Sequence, residues 1–135
     1  MNKKIVGIGC LIIILIIVFT ASSDSGLDES VISQTIFVDA VYEPENNIVL
    51  IKYVDSSEMT KLVTLEILGM EKTFHKEFLQ QSFVETVQIS SIPQYGWATM
   101  PVIFTLDHEE FGKISLKTEI HLSDEMKPRV IYSKI

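Results

Sequence analysis

Apolar and polar residues alternate along most of this chain, and the alternation is most regular between residues 113 and 122. One face of this segment carries Ile114, Leu116, Thr118, Ile120 and Leu122, and the other carries Lys113, Ser115, Lys117, Glu119 and His121. A period of two residues is typical of a β-strand with one buried face. The pattern therefore predicts one strand over 113–122 and places His121 on its exposed side.

Seven more segments have a similar pattern and are separated by residues that favour turns, such as EPENN at 43–47, DSSE at 55–58 and DHEEFG at 107–112. No stretch after residue 22 has a sustained helical stripe of apolar residues. Short strands without interleaved helices predict an all-β, antiparallel sandwich of about seven or eight strands, with a closed barrel as the alternative. The further predicted strands are 31–42, 48–54, 61–68, 73–78, 83–89, 102–106 and 129–132.

The first 22 residues differ from the rest of the chain. Lys3 and Lys4 precede an uncharged run of 17 residues, 5–21, and a Ser/Asp cluster follows it. This is the layout of a signal peptide or of an N-terminal hydrophobic helix that anchors the chain in a membrane. As a helix the run would be about 26 Å long, slightly short of a bilayer core of about 30 Å. Length therefore leaves both fates open, and the small residues before position 24 also permit cleavage.

The charge distribution around this run gives an orientation and a domain organisation. With both lysines before the apolar run and acidic residues after it, the positive-inside rule keeps the N-terminus in the cytoplasm. We expect residues 1–22 to be the signal peptide or anchor, 23–30 a linker, and 31–135 an extracytoplasmic domain. The expected location is the cytoplasmic membrane, crossed once with the domain outside, or the exterior if the segment is cleaved.

The composition of the domain restricts the classes of molecule that we expect it to bind. All 18 acidic residues lie from Asp24 onward against nine lysines and arginines, which gives that part a formal charge of −9. This charge disfavours binding to nucleic acid or to anionic lipid surfaces. The single cysteine, Cys10, lies in the apolar run, so we expect the domain to have no intrachain disulfide and to depend on packing.

Motifs that carry chemistry are missing from the sequence. It has no G-x-S-x-G or S-x-x-K nucleophile motif, no H-E-x-x-H zinc motif and no glycine-rich phosphate loop. We therefore expect no enzyme activity and no cofactor. Carboxylate and imidazole groups suit a divalent cation, and one turn concentrates them, although a solvated turn is the simpler interpretation. These weak metal candidates are Asp107, His108, Glu109 and Glu110.

A connector between predicted strands carries Tyr95, Trp97 and Met100, which form a candidate interaction patch. Aromatic residues on the loops of a rigid scaffold often form recognition surfaces. The alternative is that Trp97 turns inward and closes one end of the sandwich. Elsewhere, Glu85 lies on an apolar strand face, a conflict that an edge position, a bulge or a paired charge would explain.

The segment SIPQYGWATMPVIFTL at 91–106 resembles the part of an immunoglobulin-like or fibronectin-III-like sandwich that crosses between the sheets and enters the sixth strand. In that superfamily a tyrosine near this point bonds back to upstream backbone, so the resemblance implies the tyrosine-corner role for Tyr95. The antibody-type cysteine pair is absent and Trp97 does not lie on the third strand. The likeness is therefore to the superfamily, over roughly 31–135.

The N-terminus is similar to that of type IV pilin-like and archaellum-like subunits, in which lysines, a short gap and a glycine precede a long apolar helix. Gly7 would be the processing site in this chain. The resemblance covers about the first 20 residues and lacks the acidic residue that bacterial pilins carry early in the mature helix. It implies a subunit of a surface filament.

These observations predict a non-catalytic interaction or structural module outside the cytoplasmic membrane. The N-terminal helix would contact the membrane, and the domain would bind a protein partner or a second copy of itself, without nucleic acid. A subunit of a pilus- or archaellum-like filament is one alternative, and a secreted metal-binding protein or hydrolase is another. The sequence identifies neither the partner nor a ligand.

Overall fold

A computed structural model describes residues 28–135, which form one short α-helix and nine β-strands. The predicted signal peptide or anchor, with Cys10 and Gly7, lies outside the described residues. Within 28–135, no helix combines the length and the apolar character needed to cross a membrane. The elements are α1 (Glu29–Thr35), β1 (Ile36–Glu43), β2 (Ile48–Asp55), β3 (Thr60–Ile67), β4 (Phe74–Phe78), β5 (Ser82–Gln88), β6 (Val102–His108), β7 (Gly112–Thr118), β8 (His121–Leu122) and β9 (Ile131–Lys134).

The strands form two sheets that pack face to face. Sheet A has the order β5-β2-β1-β8, and sheet B has the order β4-β3-β6-β7-β9. Neighbouring strands are antiparallel except for β1 and β8, which are parallel. This arrangement confirms the predicted all-β sandwich and is compatible with an immunoglobulin-like fold.

Alternation along the strands places the apolar residues of both sheets in the space between them. In β2 and β6 every second residue is buried. The largest fully buried side chains include Tyr53, Ile51, Leu65 and Phe104. Burying an apolar side chain of this size contributes about 1.5–3 kcal/mol. The layer between the sheets is therefore the main source of stability.

The first predicted strand, 31–42, is correct only in its second half. Residues Glu29–Thr35 form α1, and the strand begins at Ile36. Asp28 caps the helix by accepting a hydrogen bond from the Val31 amide at 3.3 Å. Ile32 is the one residue of α1 whose side chain is buried. A helix this short therefore has no stripe of apolar residues that a sequence pattern could reveal.

The strand predicted over 113–122 is divided between the two sheets. β7 ends at Thr118, and Glu119 and Ile120 carry the chain from sheet B to sheet A, where β8 pairs with β1. Ile120 and His121 are adjacent and both buried. Successive side chains of a strand point to opposite faces, so burial of both residues requires a change of environment between them. The regular alternation in the sequence conceals this change of sheet.

The prediction that His121 is exposed is wrong, because its side chain is buried and forms a hydrogen bond that connects β8 to β1. The residue is 7% exposed. Its Nε2 lies 2.7 Å from Asp39 Oδ1, and its Nδ1 lies 2.7 Å from the Leu122 carbonyl oxygen. Both ring nitrogens thus face oxygen acceptors. The contact with Asp39 gives the two-residue strand β8 an anchor that its short backbone ladder alone would not provide.

On one side of the sandwich, β4 and β5 are the edge strands of their sheets. Lys76 on β4 and Glu85 on β5 form an ion pair between the sheets, with 2.7 Å between Nζ and Oε2. Beside them the rings of Phe78 and Phe83 stack with centroids 3.8 Å apart. An edge position and a paired charge together resolve the conflict at Glu85. Inward-pointing charges on edge strands also oppose unwanted pairing with other chains.

The course of β1 defines two ends of the sandwich. Ile36 pairs with Asp55, and Glu43 pairs with Ile48, so β1 runs from one end to the other. We call the end that contains α1 the helix end and the opposite one the connector end. The helix end contains α1 and the turns 56–59, 79–81 and 109–111, whereas the connector end contains the turns 44–47 and 68–73 and the connector 89–101.

Candidate functional site at the connector end

The connector 89–101 is held in place by contacts with β1 and with the turn that follows it. The Ile89 amide donates to the Asn47 carbonyl oxygen at 3.0 Å, and Tyr42 OH donates to the Asn47 side-chain oxygen at 2.8 Å. The ring of Trp97 lies against that of Tyr42, with centroids 5.0 Å apart and planes inclined by 48°. These contacts give the connector a defined position at the end of the sandwich.

A short turn of 3-10 helix, Trp97–Thr99, shapes the second half of the connector. Gly96 precedes it with a φ of 94°, a region that favours glycine. The Thr99 hydroxyl donates to the Gly96 carbonyl oxygen at 2.7 Å. Thr99 also passes so close to Gly69 that a Cβ at position 69 would overlap the Thr99 carbonyl oxygen. The connector and the turn after β3 are therefore in direct backbone contact.

These segments surround an open pocket of about 870 Å³ at the connector end. Apolar pockets with a few hydrogen-bonding groups at fixed positions are the usual form of binding sites in proteins. This pocket combines both kinds of group and has room for a side chain or a short segment of another molecule. Its lining includes apolar Met70, Ile89, Pro93 and Met100, polar Asn47, Gln88, Ser90 and Ser91, and charged Glu71 and Lys72.

The three residues of the predicted interaction patch have different environments. Tyr95 is 82% exposed, Trp97 is half-buried against the core, and Met100 is 4% exposed. Met100 therefore belongs to the core, and Tyr95 is the accessible member of the set. The tyrosine-corner assignment for Tyr95 is wrong, because its side chain lies in solvent and its hydroxyl makes no hydrogen bond within residues 28–135. The tyrosine hydroxyl that ties this end together belongs to Tyr42.

Sequence reasoning did not identify Ile92 or the pocket as parts of this surface. Ile92 lies three residues before Tyr95 and is 59% exposed. An isolated apolar residue inside a connector is a signal that could have pointed to it. The pocket has no comparable local signal, because it forms where three separate segments of the chain meet.

At the helix end, a buried polar cluster is centred on Asp55, whose side chain is 0% exposed. Its Oδ1 accepts hydrogen bonds from the Ser57 hydroxyl at 2.6 Å and the Ser57 amide at 2.9 Å. Its Oδ2 accepts from the Thr60 hydroxyl at 2.6 Å and the Met59 amide at 3.1 Å. Since Thr60 donates its proton to Asp55, Tyr53 OH donates to Thr60 Oγ1 across their 2.7 Å contact. The cluster holds the turn between β2 and β3 in one conformation.

His108, at the end of β6, connects this cluster to sheet B. Its Nε2 lies 3.1 Å from Asp55 Oδ2 and 3.2 Å from Ser57 Oγ. Its Nδ1 accepts hydrogen bonds from the backbone amides of Glu110 at 3.1 Å and Phe111 at 3.2 Å. Because Nδ1 is an acceptor, the ring proton lies on Nε2 and is directed at Asp55. One imidazole thus joins the end of β2 in sheet A to the turn that follows β6 in sheet B.

This geometry does not match a Ser-His-Asp catalytic relay. In such a relay the serine and the aspartate contact opposite nitrogens of the histidine. Here Ser57 and Asp55 both contact Nε2 of His108, and the Ser57 hydroxyl donates its proton to Asp55. Asp55 is a weak base because its pKa lies below the ordinary value, and Nε2 of His108 already carries a proton, so this arrangement does not activate Ser57 as a nucleophile.

The turn residues considered as metal candidates do not converge. Both ring nitrogens of His108 are engaged in hydrogen bonds within the protein, which leaves no free lone pair for a metal ion. Asp107 is half-buried beside Lys113, while Glu109 and Glu110 are exposed. Across residues 28–135, no group of three or more His, Cys, Asp or Glu side chains is arranged to hold a metal ion.

We expect the free energy of unfolding of the domain to fall at acidic pH, because Asp55 becomes protonated. Burial alone would raise the pKa of Asp55, but hydrogen bonds from Ser57 and Thr60 outweigh burial and hold the pKa below its ordinary value of 3.8. Because the pKa is lower in the folded state than in the unfolded chain, ionised Asp55 stabilises the fold at neutral pH. This contribution is lost as the pH falls from about 4 through the folded-state pKa.

The measurement is the urea midpoint of the full-length protein in detergent micelles at pH 7, 5, 4 and 3. The matched variant is Asp55→Asn, which keeps the side-chain shape but removes the titrating group. We expect the wild-type midpoint to fall more than that of the variant between pH 4 and pH 3. Parallel curves for the two proteins would show that Asp55 does not cause the acid dependence.

The Asp55 cluster and the connector end differ in whether their side chains are engaged within the protein or face solvent. In the described part of the chain, every buried side-chain nitrogen and oxygen has a hydrogen-bond partner, so the Asp55 cluster is satisfied within the protein. At the connector end, Tyr95, Ile92 and the pocket face solvent. The connector end is therefore the better candidate for contact with another molecule. Comparison with known protein families, with curated proteins and with solved structures finds no match to this chain.

Proposed function

We propose that the protein is a non-catalytic interaction module displayed outside the cytoplasmic membrane. Its N-terminal apolar segment holds it there, and its connector end binds a protein partner. The observation that carries this proposal is the position of the connector end relative to α1. The described chain begins at α1, and eight residues of β1 separate α1 from the connector end. At about 3.3 Å per residue, this places the candidate site about 26 Å from the point of attachment.

The strand order supports an immunoglobulin-like assignment for the domain. The first, second and fifth strands share one sheet, and the third, sixth and seventh share the other, as in that fold. The fourth strand differs, because it pairs with the third instead of joining the first sheet. Connectors at the ends of such sandwiches are common recognition surfaces, since a rigid scaffold holds them in place.

A non-catalytic role is supported by the Asp55 cluster. It is the group of described residues in which a serine, a histidine and an aspartate meet, and its hydrogen bonds serve to connect two turns. The accessible groups at the connector end, by contrast, are an aromatic ring, an aliphatic side chain and hydroxyl and amide groups. Side chains of this kind contribute to protein recognition through packing and hydrogen bonding.

The experiment that tests the proposal places a photo-cross-linking residue at Tyr95 of the full-length chain in its native cells. The matched control places the same residue at Glu110, which is also exposed but lies at the helix end. We expect a defined cross-linked product from position 95 and none from position 110. Products from position 110 alone would overturn the assignment of the binding end. Intact mass and N-terminal sequencing of the membrane-bound and soluble fractions would test the anchor separately.

Two substitutions in the connector should separate binding from folding. With the photo-cross-linking residue moved to the exposed neighbour Gln94, we expect Tyr95→Ala to abolish the cross-linked complex. The unfolding free energy should change by no more than about 0.5 kcal/mol, because the Tyr95 side chain lies in solvent. Trp97→Ala should cost about 2 kcal/mol, since it removes a half-buried ring that packs on Tyr42. Urea unfolding and quantitative pull-down of the cross-linked partner give the two readouts.

The opposite pattern would contradict this assignment. If Tyr95→Ala unfolded the domain as much as Trp97→Ala, the Tyr95 ring would be part of the core. If Tyr95→Ala left the complex intact, the partner would bind elsewhere on the domain.

A further inference from the structure

The outer face of sheet A, on the side away from sheet B, carries a group of apolar side chains centred on β2 and bordered by polar and charged residues. A strand with one face in solvent normally alternates between apolar and polar residues. The β2 sequence IVLIKYVD does not, because six of its first seven residues are apolar. The apolar side chains on this outer face are Phe37, Val41, Ile48, Leu50, Val54 and Val84, of which Phe37 and Val84 are the most exposed, at 42% and 64%.

The outer face of sheet B has the contrasting character. Thr64 pairs with Thr105, which pairs with Ser115, so a row of hydroxyl groups crosses its three central strands. This is the ordinary composition of a sheet face in water. The apolar outer face of sheet A is therefore a property of that sheet and not of the domain as a whole.

Charges are distributed unevenly along this face. At the helix end, the ammonium groups of Lys52 and Lys127 lie 5.9 Å and 5.4 Å from the centre of the Phe37 ring. Midway along β1, Asp39 pairs with Lys52 and faces His121. At the connector end, Glu43 terminates β1, so the unbalanced basic group lies at the helix end and the unbalanced acidic group at the connector end. A two-fold axis that lies in the plane of the face and crosses the strands would place the basic end of one copy against the acidic end of another. Such self-complementarity is the requirement for an isologous dimer.

We propose that the outer face of sheet A is a homotypic interface, on which two copies of this chain pack sheet against sheet about such an axis. Face-to-face packing of sheets is a standard arrangement, with the side chains of the two faces interdigitating about 10 Å apart. The chain carries a formal charge of −7, so two copies repel one another over most of their surface. The outer face of sheet A is suited to contact because its lysines and acidic residues offset one another around apolar residues.

The area of the face determines how tightly two copies are expected to bind. Three strands about 4.8 Å apart and about eight residues long cover roughly 14 Å by 26 Å. This is less than the ~800 Å² per partner that is usual in stable complexes. The dimer should therefore be weak, with a dissociation constant in the micromolar range or above.

The test uses the full-length chain in detergent micelles with Cys10→Ser as the background, so that one introduced cysteine reports contact. Leu50→Cys lies at the centre of the outer face of sheet A, and Thr105→Cys is its matched control at the centre of the outer face of sheet B; both positions are half-buried. With a short bismaleimide at about 100 µM protein, we expect at least about tenfold more covalent dimer from Leu50→Cys than from Thr105→Cys. Equal yields from the two positions would overturn the proposal.

A second set of variants tests the axis. Adding Val84→Glu to the Leu50→Cys protein should abolish its cross-linking, and thermal unfolding would verify that this exposed substitution leaves the fold intact. Glu43→Lys and Lys127→Glu should each reduce the cross-linked fraction, and the two together should restore it. A dimer that resists Val84→Glu would not use this face, and failure of the charge exchange to restore the dimer would overturn the proposed axis. Because Tyr95 is not part of this face, neither result depends on binding through the connector 89–101.

Discussion

Replacement of Asp55 by alanine is expected to lower the free energy of unfolding by about 3–5 kcal/mol, because each buried donor that loses its acceptor costs about 1–3 kcal/mol. The substitution leaves the hydroxyls of Ser57 and Thr60, the Met59 amide and Nε2 of His108 without their acceptor in a region closed to water. The total free energy of unfolding of a domain of this size is about 5–15 kcal/mol. The melting temperature should therefore fall by more than about 10 °C.

Asp107→Ala is the matched control for this prediction. Asp107 is a neighbour of His108 but is half-buried, and it accepts no side-chain hydrogen bond from the described residues. Its replacement should change the unfolding free energy by less than about 0.5 kcal/mol. Thermal and urea unfolding of both variants give the comparison. A cost below about 1 kcal/mol for Asp55→Ala would show that water replaces the lost hydrogen bonds and that the cluster is not sealed.

Gly69→Ala should cost about 3 kcal/mol and displace the connector. Two effects add at this position. Its φ of 79° is a left-handed conformation that costs a residue with a Cβ about 1–2 kcal/mol, and the new methyl group would overlap the Thr99 carbonyl oxygen. That oxygen belongs to a backbone segment held by neighbouring bonds, so the segment must move. Urea unfolding measures the cost, and the fluorescence of Trp97, the single tryptophan, reports the displacement.

Gly112→Ala separates these two effects. Gly112 also has a positive φ, 73°, but a Cβ there would meet no atom within 4 Å. We expect it to cost about 1 kcal/mol and to leave the emission of Trp97 unchanged. Equal costs for the two glycine variants would mean that the contact between Gly69 and Thr99 relaxes without resistance, and that the connector is not braced by the turn after β3.

The alternation of apolar and polar residues was sufficient to predict the sandwich. For β2, β3 and β6 the predicted strands agree with the observed ones to within two residues at each end. The reason is that both sheets bury one face against the other, so the period of two is imposed by the core. The conflict at Glu85 was also informative, since two of the three explanations that it allowed, an edge position and a paired charge, both apply.

Contacts between distant residues were not predictable in the same way. Asp55 and His108 are 53 residues apart, and His121 and Asp39 are 82 residues apart. The DSSE segment indicated a turn, because aspartate readily accepts a hydrogen bond from the amide two residues later, but it contained no information about the histidine from the other sheet. Tyr95 shows the converse limit: its position in the segment suggested a hydroxyl bonded to the backbone, whereas the tyrosine hydroxyl that is bonded at this end belongs to Tyr42 and contacts the Asn47 side chain.

The location of β1 has a mechanical consequence. It receives the chain from α1 and lies between β2 and β8, with its first residue at the helix end and its last at the connector end. If the protein is held at its N-terminus while a partner pulls on the connector end, tension runs along β1 and loads its hydrogen bonds with both neighbours simultaneously. A strand sheared in this way resists more force than one peeled off bond by bond. We expect the domain to remain folded under traction in that direction and to yield more readily when pulled across its strands.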